Sequence, residues 1–224
     1  MGKAHFVRAA MCAALLLLGS ESRAERYVVD RVIAVVGDQP VLLSSLEQRA
    51  APQLSVVERT VTTTGERLIA RAKVYRQVLE RLVEEQLVRR DASDRGVTVA
   101  SADIEMALDQ VAKQNGMSRT RLLAEVERAA GMSEAQYRRE LGYQILEGKM
   151  LQLEMQQRNA FVQEEELRAI HARLQQEDPD GTLPFEQARA ELAAQVQVER
   201  MQRLRTEWIA RLRLQAFVEI RWSP

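Results

Sequence analysis

Residues 28–49, VVDRVIAVVGDQPVLLSSLEQR, differ in pattern from the rest of the chain. Val and Ile dominate the first half of this stretch, and such residues favour the pleated, half-buried surface of a β-strand. Residues 37–40, Gly-Asp-Gln-Pro, are turn formers, and residues 41–43 are apolar again. The pattern predicts a β-hairpin near the start of a chain that is otherwise rich in helical signals.

A first helix is expected directly after the hairpin. Ser44 and Glu47 have the spacing of a capping box, in which the serine caps the first turn and the glutamate reaches back to it. Pro52 and the threonine-rich residues 60–65 favour a loop, so this helix is expected to be short.

Most of the remaining chain has the apolar spacing of amphipathic helices. Ser118 and Ser133 are expected to begin two of them, and Gly131 is expected to end one. The expected helices cover residues 66–93, 101–114, 118–131, 133 to about 151, a segment after 162 that includes 167–174, and 184–212.

The last residues change from helical to alternating periodicity. Val218, Ile220 and Trp222 fall on one side of a predicted strand over residues 216–222. Because an isolated hairpin is marginally stable in water, this strand is its expected partner. Trp208 is expected to help pack the terminal helix onto the sheet. The sequence therefore predicts a mainly α, multi-helix core with a small β-sheet formed by the N-terminal hairpin and the C-terminal strand.

The start of the chain predicts export. Residues 1–24 combine a basic beginning with an apolar run and a small-residue cleavage site after Ala24, which is typical of a secretory signal peptide. The apolar run is too short for a bilayer span, so no membrane span is expected after cleavage. Residues 25–224 are expected to form a single core. Its expected parts are residues 25–177, a linker over 178–183, and residues 184–224.

Composition excludes several classes of function. The chain carries 32 Lys and Arg and 32 Asp and Glu, which gives no electrostatic reason to expect nucleic acid as a partner. Its one cysteine, Cys12, falls within the predicted signal peptide. His171 follows an acidic run without the spacing of metal ligands, and it is expected to be a solvated helix residue. We therefore expect no catalytic residue, no cofactor and no metal site.

Three segments resemble a known family. Residues 28–47, GVTVASADIEMALDQVAKQNGMS (96–118) and GMSEAQYRREL (131–141) closely resemble the N-terminal domain of the SurA-like periplasmic chaperones, and residues 185–222 are similar to the family's C-terminal segment. The resemblance implies a SurA-like core with an apolar cradle for extended, aromatic-rich segments of unfolded outer-membrane proteins. It implies an ATP-independent chaperone of the periplasm. The family usually carries parvulin isomerase domains where this chain has its linker, so prolyl isomerase activity is not expected.

Methionines suggest where clients bind, because flexible thioethers suit promiscuous apolar surfaces. Met150 and Met155 are the first candidates, since their helix is apolar on more than one face, and Leu153 and Met201 complete the expected client-binding set. The expected partners are unfolded outer-membrane proteins or other exported clients, and a homodimer is left open. Two alternatives remain, namely a degenerate prolyl isomerase and an assembly factor that docks one dedicated envelope partner.

Overall fold

The computed structural model describes residues 30–179 and 183–223. Within these ranges, seven helices and three short strands account for the mainly α fold that the sequence predicts. In chain order they are β1 (Val32–Val36), β2 (Gln39–Leu42), α1 (Leu43–Thr60), α2 (Thr64–Asp94), α3 (Ser101–Gln114), α4 (Arg119–Ala130), α5 (Glu134–Gln157), α6 (Glu164–Glu177), α7 (Phe185–Gln215) and β3 (Val218–Ile220). The predicted signal peptide, its cleavage site after Ala24 and residues 180–182 of the predicted linker lie outside the described residues.

The three strands form one antiparallel sheet in the order β2-β1-β3, which confirms the predicted pairing of hairpin and C-terminal strand. Val36 lies opposite Gln39 on one side and Val218 on the other. Gly37 turns the hairpin at a φ of 62°, which a glycine adopts without steric cost. Its N–H donates to the Phe217 carbonyl oxygen over 2.7 Å, so the turn itself is fastened to the C-terminal segment.

The main apolar core lies between this sheet and the long helices. Trp208 of α7 is fully buried in it together with Ile33 of β1. The Trp208 indole N–H donates to the Asp91 carboxylate of α2 over 2.8 Å, so the polar atom of this large side chain is satisfied. Trp222 packs edge-on against Tyr75 of α2 at 5.7 Å between ring centroids. Trp208 thus packs the terminal helix into the core that contains the sheet, as predicted.

A second, smaller apolar cluster joins α3, α4 and the beginning of α5. Its buried members are Leu108, Ala112, Leu122 and Leu141. The predicted caps of these helices are present. Ser118 accepts a hydrogen bond from the Arg121 N–H, and Ser133 forms a capping box with Gln136.

The prediction of a short first helix is wrong. The helix α1 runs for 18 residues with Pro52 inside it, and it begins after Leu42 without a side-chain cap, so Ser44 is not the N-cap. Leu46 and Ala50 are both fully buried on the face that packs into the main core. Burial of this face outweighs the loss of the backbone hydrogen bond that a proline cannot donate.

The expectation of a solvated His171 is also wrong. Its side chain is buried because α6 packs along the first half of α7. The Nε2 atom lies 2.7 Å from the Leu183 carbonyl oxygen, which can only accept, so Nε2 carries the proton. The ring also meets Phe185 edge-on at 5.4 Å, and His171 thereby fastens α6 to the beginning of α7.

A buried carboxylate joins three parts of the chain. Glu154 of α5 is 1 % exposed and forms ion pairs with Arg95 at the end of α2 (2.8 Å) and Arg211 of α7 (2.7 Å). Arg158, which follows the last residue of α5, lies 3.6 Å from Glu154. Burial alone would raise the pKa of Glu154, but the contacts with Arg211 and Arg95 outweigh it and hold this pKa below its ordinary value. Glu154 is therefore an ionised link between α2, α5 and α7.

We predict that deletion of residues 217–224 lowers the cooperative melting temperature of the whole chain. The deletion removes the β1–β3 pairing and the Trp222–Tyr75 contact. A loss of about 2–4 kcal/mol corresponds to roughly 5–10 °C for a chain of this size. Circular dichroism melting provides the measurement. Leu214→Gln, at a residue 89 % exposed, is the control and should leave the melt unchanged. An unchanged melt after the deletion would show that the sheet does not hold the fold together.

We predict that Glu154→Gln destabilises the chain by about 1–3 kcal/mol at pH 7, because it removes the counter-charge of the partly exposed Arg95 and Arg211. The pKa of Glu154 is lower in the folded chain than its ordinary 4.5, so the carboxylate contributes stability above that pH and loses it as the pH falls through the folded value. The difference between the two proteins should therefore shrink below pH 4.5.

Urea unfolding at pH 7 and at acidic pH measures this difference. Glu207→Gln is the control, since Glu207 also pairs with Arg158 but its side chain is 53 % exposed. It should cost less than about 1 kcal/mol. A Glu154→Gln effect that is equal at both pH values would contradict the assignment.

Candidate binding groove

A groove follows the junction between the two apolar clusters. Its first section, with a volume of 640 Å³, lies between α1 and residues 128–132 at the end of α4. The second section is smaller, at 180 Å³, and passes over α2. The third section, at 560 Å³, lies between the end of α2, residues 97–99 and the helices α3 and α5. Neighbouring sections share lining residues and therefore adjoin one another, and we call the three together the junction groove.

Apolar side chains line much of this groove. Val56 of α1 is 47 % exposed at the first section, and Met132 lies where the first and second sections meet. Gly131 follows α4 at a φ of 64° and Ser133 caps α5, so Met132 is the middle residue of the three-residue turn between the helices. The remaining apolar lining residues are Ala51, Pro52, Leu82, Ala92, Val97, Val99, Ile104, Ala129, Ala130 and Leu146. The surface is contributed by five helices and two connecting segments.

A network of ion pairs borders the smallest section of the groove. Arg49 of α1 bridges two carboxylates, Glu85 of α2 and Glu140 of α5, and it lies 2.7 Å from the latter. Arg81 of α2 also pairs with Glu140. Glu85 is only 5 % exposed, and burial raises its pKa although Arg49 counteracts part of that effect. The network holds α1, α2 and α5 in a fixed relation and so sets the width of the groove.

Pro52 lines the groove although a proline in the interior of a helix lowers the stability of that helix. It lies in the interior of α1, where it removes one backbone hydrogen bond and costs about 3 kcal/mol relative to alanine in an ideal helix. The ring contributes apolar surface at the point where the first and second groove sections meet. Residues that break a local rule without structural gain are typical of functional sites.

The methionines that the sequence singles out are not in this groove. Met150 is fully buried in the main core and Met155 is 7 % exposed, so neither offers surface in this conformation. Both lie on α5 where it packs between α2 and α7, which explains why that helix is apolar on more than one face. Leu153 and Met201 are partly exposed. Client binding at these four residues stays a prediction.

The described residues have two further properties that bear on chemistry. No group of three or more His, Asp, Glu or Cys side chains within residues 30–179 and 183–223 is arranged to hold a metal ion. No helix in the same part of the chain has the length and apolar character needed to cross a membrane. What the groove provides is apolar contact surface edged by fixed charges.

We predict that Pro52→Ala raises the free energy of unfolding by roughly 1–2 kcal/mol. Alanine restores the helical hydrogen bond, and this gain exceeds the loss of the proline's restriction on the unfolded chain. Urea denaturation measures the change, with Gln53→Ala at the neighbouring exposed position as the matched control. A lower stability for Pro52→Ala would show that the proline is there for packing and not for the groove.

Comparison with known proteins places these elements in a family. Residues 29–151 match the family model described as the SurA N-terminal domain. The chain is 38% identical over 109 residues to Chaperone SurA of Alkalilimnicola ehrlichii, covering 49% of this chain and 24% of the relative. It is 34% identical over 124 residues to Chaperone SurA of Cupriavidus metallidurans, covering 55% and 24%. To Chaperone SurA of Alcanivorax borkumensis it is 28% identical over 148 residues, covering 66% and 33%.

The matched segment spans about a quarter to a third of the length of these curated relatives. All lining residues of the junction groove, from Ser45 to Leu146, fall within the matched range 29–151, whereas Leu153, Met155 and Met201 fall outside it. The matched range also contains both strands of the hairpin and covers more than half of the chain. The chain belongs to the SurA N-terminal domain family.

Proposed function

We propose that this chain is an ATP-independent chaperone of the periplasm that holds extended segments of unfolded outer-membrane proteins in the junction groove and releases them without catalysis. The observation that carries the proposal is that the residues lining the groove all lie within the range that matches the family model. The elongated apolar surface of this chain is built entirely from residues that match the SurA N-terminal domain, and the relatives that share them are named chaperones.

The groove suits an extended chain because its three sections adjoin one after another through shared lining residues. Its two wide sections have volumes of 640 and 560 Å³, each within the range of about 300–1,000 Å³ that small-ligand sites occupy. They adjoin through the smaller section of 180 Å³, so a bound segment would lie along all three. Apolar side chains of a client would then fill the wide sections on either side of the ion-pair network.

The contact surface also favours release. Each element contributes only a few apolar side chains, and polar residues such as Gln48 and Gln136 lie among them. Many weak contacts of this kind bind varied sequences without selecting one, which is the property expected of a holding chaperone. Leu153 and Met201 are retained as proposed secondary client contacts, whereas contact with Met150 and Met155 would require α5 to move away from the core.

Two observations speak for a function without catalysis. α6 ends at Glu177 and α7 begins at Phe185, so the connection where the family's isomerase domain is inserted is seven residues long. His171 has its Nε2 atom engaged by the Leu183 carbonyl oxygen and its ring buried against Phe185, which leaves it poorly placed to act on a substrate.

The test of the proposal is the aggregation of an outer-membrane β-barrel protein after dilution from urea. We expect the purified chain in severalfold excess to suppress light scattering without added ATP. The absence of suppression would count against the chaperone function as a whole. A proline isomerisation assay on a model peptide should show no acceleration. Acceleration that His171→Gln abolishes would favour the isomerase instead.

A pair of matched double variants locates the binding surface. Val56→Gln with Met132→Gln makes the groove more polar and should weaken the suppression severalfold. Val198→Gln with Met106→Gln exchanges the same residue types at positions that are 56 % and 62 % exposed and do not line the groove. This second variant should behave like the unaltered chain. Equal loss in both variants, or loss in the second alone, would place client binding elsewhere.

A further inference from the structure

The junction groove has a charge that the chain as a whole lacks. The chain carries equal numbers of basic and acidic residues, 32 of each. In contrast, the three groove sections are lined by six arginines and a single carboxylate, that of Glu85. The arginines are Arg49, Arg59, Arg89, Arg128, Arg138 and Arg139. Positive charge is therefore concentrated where the apolar surface is.

Three of these arginines are already neutralised by neighbouring carboxylates. Arg49 pairs with Glu85 and Glu140, as described above. Arg128 pairs with Glu125, and Arg138 pairs with Glu134 over 2.9 Å and also with Glu105. These side chains have a structural reason to be where they are, and they add little to the attraction of a ligand.

The other three arginines are not neutralised in this way. Arg59 and Arg139 are exposed and form no ion pair with any residue in the described part of the chain. Arg89 is 4.0 Å from Glu85, a carboxylate that Arg49 already engages more closely. Arg59 lines the first groove section, whereas Arg89 and Arg139 line both the second and the third. Each wide section thus has at least one guanidinium available to a bound molecule.

We propose that the junction groove selects extended polypeptide segments in which apolar residues are interspersed with carboxylates, with Arg59, Arg89 and Arg139 as the groups that recognise the carboxylates. This inference rests on the proposed chaperone function and names the class of client segment that the groove prefers. A guanidinium has donors in a planar fork that match a carboxylate, so recognition needs no fixed client sequence. The apolar lining residues would hold the side chains between the acidic positions, and a segment with lysines at those positions would be repelled.

Direct binding of three synthetic peptides tests the proposal. The peptides share their length and apolar residues and carry Glu, Gln or Lys at the positions between them, each with a neutral fluorophore. Fluorescence anisotropy with the purified chain should give the tightest binding for the Glu peptide and the weakest for the Lys peptide. Added salt should weaken binding of the Glu peptide and leave the Gln peptide nearly unaffected, because exposed charge pairs are screened.

Single substitutions assign the selectivity to the groove. Arg59→Gln and Arg139→Gln should each weaken binding of the Glu peptide by about two- to fivefold, the range expected for one exposed ion pair. They should leave binding of the Gln peptide unchanged, which a general loss of structure would not do. Arg173→Gln is the matched control, because Arg173 of α6 is exposed and lies away from the groove.

The outcomes separate this inference from the function on which it rests. Equal affinity for the three peptides, in a chain that suppresses aggregation, would overturn the charge selectivity and leave the chaperone proposal standing. A selectivity that Arg173→Gln alters as much as Arg139→Gln does would also overturn it, because the groove would then not be its source. If the chain neither binds any peptide nor suppresses aggregation, both proposals fail.

Discussion

The pairing of β3 with β1 is the constraint on which the rest of this structure depends. It joins the beginning of the described chain to its end. The Gly37 N–H donates to the Phe217 carbonyl oxygen, so the hairpin turn is also attached to the C-terminal segment. Because β3 follows α7 directly, the pairing also decides where the terminal helix must lie. α7 packs along α2, with Trp208 inserted into the core beneath the sheet.

The position of α7 in turn determines where α5 packs. α5 packs between α2 and α7, and the ionised Glu154 holds it there through Arg95 and Arg211. The beginning of α5 extends beyond this core and carries α3 and α4 as a separate apolar cluster. The ion pairs of Arg49 with Glu85 and Glu140 join α1 and α2 to the beginning of α5, and the junction groove runs beside them.

The sequence predicts the parts of this arrangement that depend on local chemistry. Each of these parts depends on residues that lie close together in the chain. They are the hairpin, the caps at Ser118 and Ser133 and the alternation over residues 216–222. It fails at Pro52, where tertiary burial of one helix face outweighs a local preference, and at His171, where the partner is the carbonyl oxygen of a residue in a different segment. The residues that cover the buried face of α1 and the carbonyl oxygen that accepts from His171 both lie outside the local segment. No local sequence pattern could therefore have predicted either feature.

The groove was beyond sequence reasoning for a related reason. A periodic apolar stripe indicates that one face of a helix is buried. Met150 lies on such a stripe and is buried in the core. A surface that must accept varied partners is assembled in the opposite way, from single residues such as Val56 and Met132 that different elements bring to one place. Each of these residues is ordinary in its own segment, and Arg59, Arg89 and Arg139 beside them look like ordinary solvated charges. Only the packing of the elements, fixed by the sheet that joins the chain ends, turns these scattered residues into one continuous surface.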